Sequence, residues 1–292
     1  MGSKRLTIIT NPAARKSSTR KIERAAGLLG RAGWDVEILR TEARGQGTAL
    51  AGSAARGGAG LVVAAGGDGT FNEVMNGLAG GGVPMAIIPL GTTNVLAKEL
   101  KIPEDVEGAV QRIITGGPRP LYVANLIFPA GLSRKFFLMA GIGFDAEAVY
   151  NVNRRLKSFT GKAGYLAGGL KVLLDWNPGL KRAVIDGHKF EFKNLIVCKG
   201  ARYGGYPKAA PDASLETPDL YAVLMRGGRR IDVLRYAFGI ITGRHTAFRD
   251  VMYLRCRRVD VLDEERIQAD GDYIGKSPVT IETSREKILF VI

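Results

Sequence analysis

The stretch from Leu61 to Leu78, Leu-Val-Val-Ala-Ala-Gly-Gly-Asp-Gly-Thr-Phe-Asn-Glu-Val-Met-Asn-Gly-Leu, constrains the fold of this chain more than any other. A short apolar run, Leu61 to Ala65, passes without a spacer into Gly66-Gly67-Asp68-Gly69, and apolar residues then recur at helical spacing at Phe71, Val74, Met75 and Leu78. That order is a buried strand, a tight glycine turn and a helix. Missing Cβ atoms let a ligand approach the main chain, and the free N–H groups of a helix start favour phosphate. Asp68 stands in the same turn, and a carboxylate beside phosphates requires a cation between them or a proton to accept from a substrate. The stretch therefore points to a magnesium nucleotide, with a plain turn capped by Asp68 or Thr70 as the alternative.

On either side of it the chain alternates strand and helix. Leu6 to Thr10 reads as a strand ending at Asn11-Pro12, Lys16 to Gly30 as a helix, Trp34 to Leu39 as a strand, and Thr48 to Arg56 as a helix. Met85 to Pro89 is a further strand that opens into a second polar glycine turn, Leu90-Gly91-Thr92-Thr93-Asn94, and a short helix through Leu100. Pro103-Glu104-Asp105 is expected to start the next helix, which ends near Gly116-Gly117-Pro118. This alternation predicts a doubly wound, Rossmann-like parallel sheet whose ligands lie beyond the carboxyl ends of the strands, where Thr41 also sits. In the first strand-to-helix turn Asn11, Arg15 and Lys16 are candidates for contact with an anion.

Beyond Pro118 the pattern changes to short strands at 121–128, 135–140, 183–186, 191–198, 220–225, 251–256 and 259–262, with Asp186-Gly187 as a hairpin signal. Helical insertions are expected at about 146–156, 161–174 and 232–243. The predicted architecture is thus α/β plus all-β: a nucleotide-binding domain over 1–118 and a β-rich, β-sandwich-like domain over 119–292, with the last strands, 279–282 and 288–292, free to stay there or return to the first. In the insertion from Gly161, Tyr165, Leu166, Leu170, Leu173 and Leu174 form an apolar face beside Lys157, Lys162 and Lys171, which serves a core or the wall of a lipid site.

A chain of 292 residues with 46% apolar content suits two domains with their own cores. Cys198 and Cys256 lie far apart in strand-like surroundings, and they read as buried free thiols of a reducing compartment. His188 and His245 are isolated and read as structural or surface residues. No apolar run of about 20 residues is present, and the expectation is a cytoplasmic protein. The formal charge of +14, from 42 basic and 28 acidic residues, suits nucleic acid or an anionic membrane surface. The absence of basic runs interleaved with stacking aromatics argues against nucleic acid.

These residues resemble the diacylglycerol kinase catalytic fold, shared by bacterial soluble lipid kinases, sphingosine kinases and ceramide kinases. Gly66 to Glu73 is similar to that family's nucleotide loop, Gly91-Thr92-Thr93-Asn94 to its second loop, and Gly143-Phe144-Asp145-Ala146 to its interdomain motif. Tyr203-Gly204-Gly205 with Ala210-Pro211-Asp212-Ala213 resembles its β-domain signature, and Asp270-Gly271-Asp272 its late acidic motif. The matches run in the family's order across almost the entire chain. The resemblance implies ATP over the glycine turn, touching Asn11, Arg15, Thr41, Thr92 and the run Gly67, Asp68, Gly69, Thr70, Phe71, Asn72, Glu73, with Mg2+ at Asp68 and a lipid hydroxyl entering between the domains. It also implies catalytic roles for Asp68, Asp270 and Asp272, the last as general base. A peripheral position at the inner face of the membrane follows, and a homodimer stays open.

The chain departs from the family at four places. The late motif's third residue is usually Glu and is Asp272 here, a carboxylate retracted by one methylene, about 1.5 Å. The second loop usually continues Asn-Asp, whereas Asn94 is followed by Val95, as in sphingosine kinases, which also lack an acid there. The first loop has Ala14-Arg15 where a glycine is usual. The structural-metal segment, usually Asp-Asp-Gly, reads Glu216-Thr217-Pro218, so that Glu216 and Asp219 are what remains to hold a structural magnesium. The function expected is ATP-dependent phosphorylation of a hydroxyl on a diacylglycerol-like or sphingoid lipid; the rivals are an NAD kinase, whose related fold shares Gly-Gly-Asp-Gly, and a non-catalytic lipid- or nucleotide-binding regulator.

Overall fold

The computed structural model describes residues 4–11, 17–155, 169 and 172–292. It divides into two compact units, Met1–Tyr122 with Arg285–Ile292, and Val123–Ser284.

The first unit follows the alternation read from the sequence: β1 (Arg5–Thr10), α1 (Ser17–Arg31), β2 (Asp35–Arg40), α2 (Gln46–Arg56), β3 (Leu61–Gly66), α3 (Asp68–Leu78), β4 (Met85–Pro89), α4 (Val95–Glu99) and α5 (Val106–Thr115). The strands pair in parallel in the order β2-β1-β3-β4. α1 packs with α5 and α2 with α3, and every residue of β3 and β4 is buried, as a parallel sheet requires. Register aligns the strand ends: Thr10 lies opposite Arg40 and Ala65, and Gly66 opposite Pro89. The chain leaves β1 for β2 on one side while β3 lies on the other, so the order reverses between β1 and β3. That reversal is where doubly wound sheets bind ligands.

The second unit is a two-layer β structure with helical insertions. Its elements are β5 (Pro118–Ile127), β6 (Ser133–Phe136), β7 (Met139–Ile142), α6 (Phe144–Arg155), β8 (Lys181–Ile185), β9 (His188–Phe192), β10 (Asn194–Cys198), β11 (Leu220–Met225), α7 (Arg230–Thr242), β12 (Val251–Cys256), β13 (Arg258–Val261), β14 (Arg266–Ala269), β15 (Asp272–Lys276) and β16 (Val279–Val291). One layer is the antiparallel sheet β12-β11-β10-β7-β14-β15. The other joins β6, β5, the first half of β16, β13, β8 and β9. Leu126, Phe136, Phe192, Ile142, Leu224 and Ile267 meet in the core they enclose. The end of β16 belongs to the first unit, where Phe290 sits opposite Met85 in parallel with β4.

Several expected boundaries differ, each for a physical reason. The strand expected at 135–140 is two, β6 and β7, because the N–H groups of Phe137 and Leu138 point to the carboxylate of Asp270 and not along a ladder. The strand expected at 191–198 breaks at Lys193, because β9 pairs with β8 in one layer and β10 with β11 in the other. The two last strands are one, β16, whose polar middle hid its continuity: Arg285, Glu286 and Lys287 are exposed. Asp105 caps α5 through Gly108 N–H at 2.7 Å, so Pro103 lies outside that helix. The expected insertion at 161–174 falls almost wholly outside the described residues.

Asp186 and Gly187 both take positive φ, 46° and 87°, and close the β8–β9 hairpin as their sequence signalled. Cys198 and Cys256 are buried and unbridged, and burial pushes the Cys256 thiol up to about 12. His245 is buried, with Nε2 2.7 Å from the carbonyl of Ala209, and His188 is exposed on β9. Among the described residues no helix is long and apolar enough to cross a membrane.

Because Phe290 is fully buried where the chain end returns to the first unit, Phe290→Ala is expected to cost about 3–5 kcal/mol. Urea denaturation followed by circular dichroism measures it, and a loss below about 1 kcal/mol would contradict the role assigned to the end of β16.

Candidate active site

In the first unit the two glycine turns are in contact. A Cβ built on Gly91 would lie 2.7 Å from Gly67 Cα, so only glycine at both places allows the main chains to touch. Leu90 and Gly91 donate their N–H groups to Gly66 O at 2.7 and 3.1 Å, which fixes the second turn on the first. Asn94 holds the second turn closed: its Oδ1 accepts from Gly91 N–H at 3.0 Å, and its Nδ2 donates to Gly91 O at 3.0 Å and to Glu104 at 3.1 Å.

Asp68 joins the turns electrostatically. Its Oδ2 accepts from Val95 N–H at 3.1 Å and its Oδ1 from Leu96 N–H at 3.0 Å, so it caps α4 from 27 residues upstream of Val95. Burial raises its pKa, and the bonds from Leu96 and Val95 with the Lys98 ammonium act in the opposite sense. α4 therefore starts against a carboxylate contributed by the other turn, the arrangement that helix-start N–H groups favour.

The remaining candidates separate by side-chain direction. Gly69 is exposed with open space above it, Thr70 is half-buried beside Gly66, and Thr92 is exposed in the second turn. Asn11 follows β1 directly and Thr41 follows β2, its N–H donating to Thr10 O at 2.9 Å. Asn11, Thr41, Gly67, Gly69, Thr70 and Thr92 thus stand at the carboxyl edge of the sheet. The side chains of Phe71, Asn72 and Glu73 go elsewhere. Phe71 is fully buried in the core, and Asn72 accepts from Asn76 Nδ2 at 3.0 Å. Glu73 accepts from Gly45 and Gly47 N–H at 2.8 and 3.0 Å and so supports the start of α2. Arg15 lies outside the described residues.

In the second unit the late acidic motif is a hairpin turn. Asp270 and Gly271, with φ of 48° and 82°, connect β14 to β15, and Asp272 is the first residue of β15, opposite Ala269. The turn residue is thus Asp270, and its carboxylate accepts from the N–H groups of Phe137, Leu138 and Met139 at 2.8, 2.9 and 3.1 Å. Those bonds make Asp270 a positioning residue, whereas Asp272 stands half-buried beside the turn.

A buried network holds that hairpin, and sequence reasoning missed it. Gly271 N–H donates to Gln268 Oε1 at 2.9 Å, Gln268 Nε2 donates to Asp145 Oδ2 at 2.5 Å, and Tyr203 O–H donates to Asp145 Oδ1 at 2.6 Å. A Cβ at Gly141 would lie 2.0 Å from Asp145 Oδ2, so the carboxylate fits only against a glycine. Burial raises the pKa of Asp145; burial and the Asp145 charge hold Tyr203 well above its ordinary value, keeping it a donor. Tyr273, next to Asp272, packs edge-on against Tyr150 at 4.9 Å, and the Arg266 guanidinium covers Tyr150 at 4.1 Å while pairing with Glu147 at 2.5 Å. The signal available in sequence was that Asp145, Tyr203 and Asp270 each belong to a recognised motif; their meeting point was not.

Comparison with known proteins assigns both parts. Residues 5–126 match the diacylglycerol kinase catalytic domain, and residues 139–291 match the YegS C-terminal NAD kinase beta sandwich-like domain. A diacylglycerol kinase of Bacillus subtilis (strain 168) is 31% identical over 283 residues, covering 94% of this chain and 92% of that protein. The chain belongs to the diacylglycerol kinase catalytic-domain family. A Staphylococcus aureus diacylglycerol kinase (strain bovine RF122 / ET3-1) is 29% identical over 282 residues, 94% of this chain and 88% of the relative. A Bacillus anthracis str. Sterne crystal structure shares the fold at a TM-score of 0.81 and 23% identity, over 100% of this chain and 96% of that one. A second, of a diacylglycerol kinase from the same organism, gives 0.72 at 20% identity, over 99% and 96%. Family membership makes the protein a kinase with an alcohol acceptor, of the lipid kinase type, using ATP.

The donor sets accept one of the two expected magnesium ions. The Asp68 carboxylate accepts N–H bonds from Val95 and Leu96 and keeps acceptor capacity besides, which suits an ion carried largely by nucleotide phosphates. Among the described residues no group of three His, Cys, Asp or Glu could hold a metal by itself. The structural site does not fit. Glu216 is exposed, Asp219 pairs with Arg255 at 2.7 Å and Arg257 at 3.6 Å, and the carbonyls of Ser214 and Thr217 receive the buried Lys199 ammonium at 2.5 and 2.8 Å. An ammonium of the chain itself organises the segment where the resemblance put a metal.

Two outcomes follow. Lys199→Met, which leaves buried carbonyls without their donor, is expected to cost about 1–3 kcal/mol, whereas EDTA leaves the wild-type melting temperature unchanged; a large EDTA shift would restore the structural metal. For Asp68, a raised folded-state pKa means that the native state holds more protons than the unfolded state between the ordinary and the raised value. Its contribution to stability therefore falls as pH rises through that window. Asp68→Asn removes this titration, so its stability relative to wild type is expected to improve between about pH 4 and pH 7, read by urea midpoints at the two values. A pH-independent difference would contradict the assignment.

Proposed function

We propose that the protein transfers the γ-phosphoryl group of ATP to the hydroxyl of a diacylglycerol-like or sphingoid lipid. The observation that carries this reading is Asp272, a carboxylate at the head of a hairpin fixed by the Asp145–Gln268–Tyr203 network. In the proposed reaction the lipid hydroxyl gives its proton to Asp272 as its oxygen attacks the γ-phosphorus, and ADP leaves. Such transfers depend mainly on positioning and charge stabilisation. The fused glycine turns provide the first: main-chain N–H groups at the start of α3, with Gly69 open above them, suit the phosphates. Magnesium, when bound with the nucleotide, supplies positive charge at the phosphate oxygens. Asp68 would hold that ion, and its bonds to Val95 and Leu96 keep the second turn in place.

Two features bear on the substrate. Val95 is buried at the start of α4 and offers no acid, which is the sphingosine kinase pattern and the reason for keeping a sphingoid acceptor beside diacylglycerol. The NAD kinase reading shares Gly-Gly-Asp-Gly but leaves the Asp270-Gly271-Asp272 hairpin without a role, and the relatives named above, which align with 94% of this chain, are diacylglycerol kinases.

Radiolabelled ATP supplied with diacylglycerol, sphingosine and NAD is expected to label a lipid and leave NAD unlabelled; label on NAD alone would replace the reading. Asp272→Asn is expected to lower turnover by about a hundred- to ten-thousandfold with ATP affinity nearly unchanged, as for a lost general base. Asp272→Glu restores the family's reach and is expected to keep activity. Asp68→Asn should abolish transfer with the fold intact. Full turnover by Asp272→Asn would remove that residue from the mechanism.

A further inference from the structure

α7 has two apolar faces, and only one is used by the fold. Asp232, Val233, Tyr236, Gly239 and Ile240 are buried against the second unit, and Tyr236 is pinned there: its hydroxyl accepts from Gly227 N–H at 2.7 Å and donates to Asp250. Ile231, Leu234, Phe238 and Ile241 are exposed by 61, 51, 64 and 67%. At about 100° per residue these four fall within an arc of about 80°, directly opposite the buried arc. The stripe is therefore an outer ridge of a firmly docked helix and not the product of fraying. It occupies most of a helix about 20 Å long.

The charges around it are of one sign. From Arg226 to Asp250 the chain carries six arginines, Arg226, Arg229, Arg230, Arg235, Arg244 and Arg249, against two aspartates, Asp232 and Asp250. Both aspartates are occupied, Asp232 by Arg229 and Asp250 by Arg235. Arg226, Arg230, Arg244 and Arg249 are exposed. A helix with a bare apolar ridge and arginines at its margins and ends has the build of one that lies in the plane of a membrane interface, apolar side chains among the acyl chains and guanidinium groups at the phosphates.

We propose that α7 is the face on which this protein docks to an anionic lipid surface, with Ile231, Leu234, Phe238 and Ile241 inserted and the flanking arginines on the headgroups. A second copy of the chain would also cover the ridge, but a two-fold contact there brings the arginine margins of one copy against those of the other, while the segment's own acids, Asp232 and Asp250, are already paired with Arg229 and Arg235. An anionic bilayer supplies the missing sign. The inference rests on the geometry and charge of α7 and is independent of the phosphoryl acceptor and of any turnover.

The test is co-sedimentation of the full chain with vesicles of phosphatidylcholine alone or with about 30 mol% phosphatidylglycerol, a content giving a strongly negative surface. Wild type is expected to bind the anionic vesicles and to release them at high salt. Phe238→Asp and Leu234→Asp, at exposed positions that leave the circular dichroism spectrum unchanged, are each expected to weaken binding by about tenfold or more, and Arg230→Glu with Arg244→Glu to weaken it for the anionic vesicles only. Phe238→Trp should show a blue-shifted emission on those vesicles. Anionic-vesicle binding that Phe238→Asp leaves intact, or a Phe238→Trp emission that vesicles do not move, would overturn the proposal. So would a dimer in analytical ultracentrifugation that Phe238→Asp dissolves, with no vesicle binding by wild type.

Discussion

The first unit depends on one carboxylate placed between two helix starts. Asp68 opens α3 and at the same time accepts the first N–H groups of α4, so the strand-turn-helix units of β3 and β4 are tied at the carboxyl ends of their strands. The tie is possible because Gly67 and Gly91 let the two turns touch. Burial works against the charged carboxylate, and helix N–H groups work for it.

The second unit repeats this use of a buried carboxylate. Asp145 receives Tyr203 and Gln268, and Gln268 in turn receives the hairpin at Gly271, so residues distant in sequence converge on one group. Asp270 locks the same hairpin from the other side through the main chain of 137–139. The two aspartates of the late motif are therefore unlike: one is consumed by holding the turn, and the other is presented by it. Satisfied polar networks of this kind specify one geometry because any broken member leaves a buried group without a partner.

Cations belonging to the chain recur where a relative's motif implies a metal. Lys199 binds the carbonyls of Ser214 and Thr217, and Arg255 takes Asp219. An ammonium brings three donors but cannot gather carboxylates as a divalent ion does, and the segment here offers it carbonyls.

By itself the sequence determined the local elements whose signal is local. The apolar run before Gly66-Gly67-Asp68-Gly69, the helical spacing after it, and the Asp186-Gly187 turn each depend on residues adjacent in the chain, and each appears as read. The α/β and β-rich halves were legible for the same reason: strand-helix alternation and strand-strand succession are patterns of neighbours. Tertiary structure decided what depends on partners far away in sequence. It split 135–140 because Asp270 draws the N–H groups of 137 and 138, and turned Glu73 from a nucleotide candidate to the support of α2. It also made Asp272 the strand residue beside a turn built on Asp270, and left one face of α7 bare although both faces are apolar in sequence. Hydrogen-bond partners and burial are properties of the packed chain, and periodicity records only that a face is apolar, not what covers it.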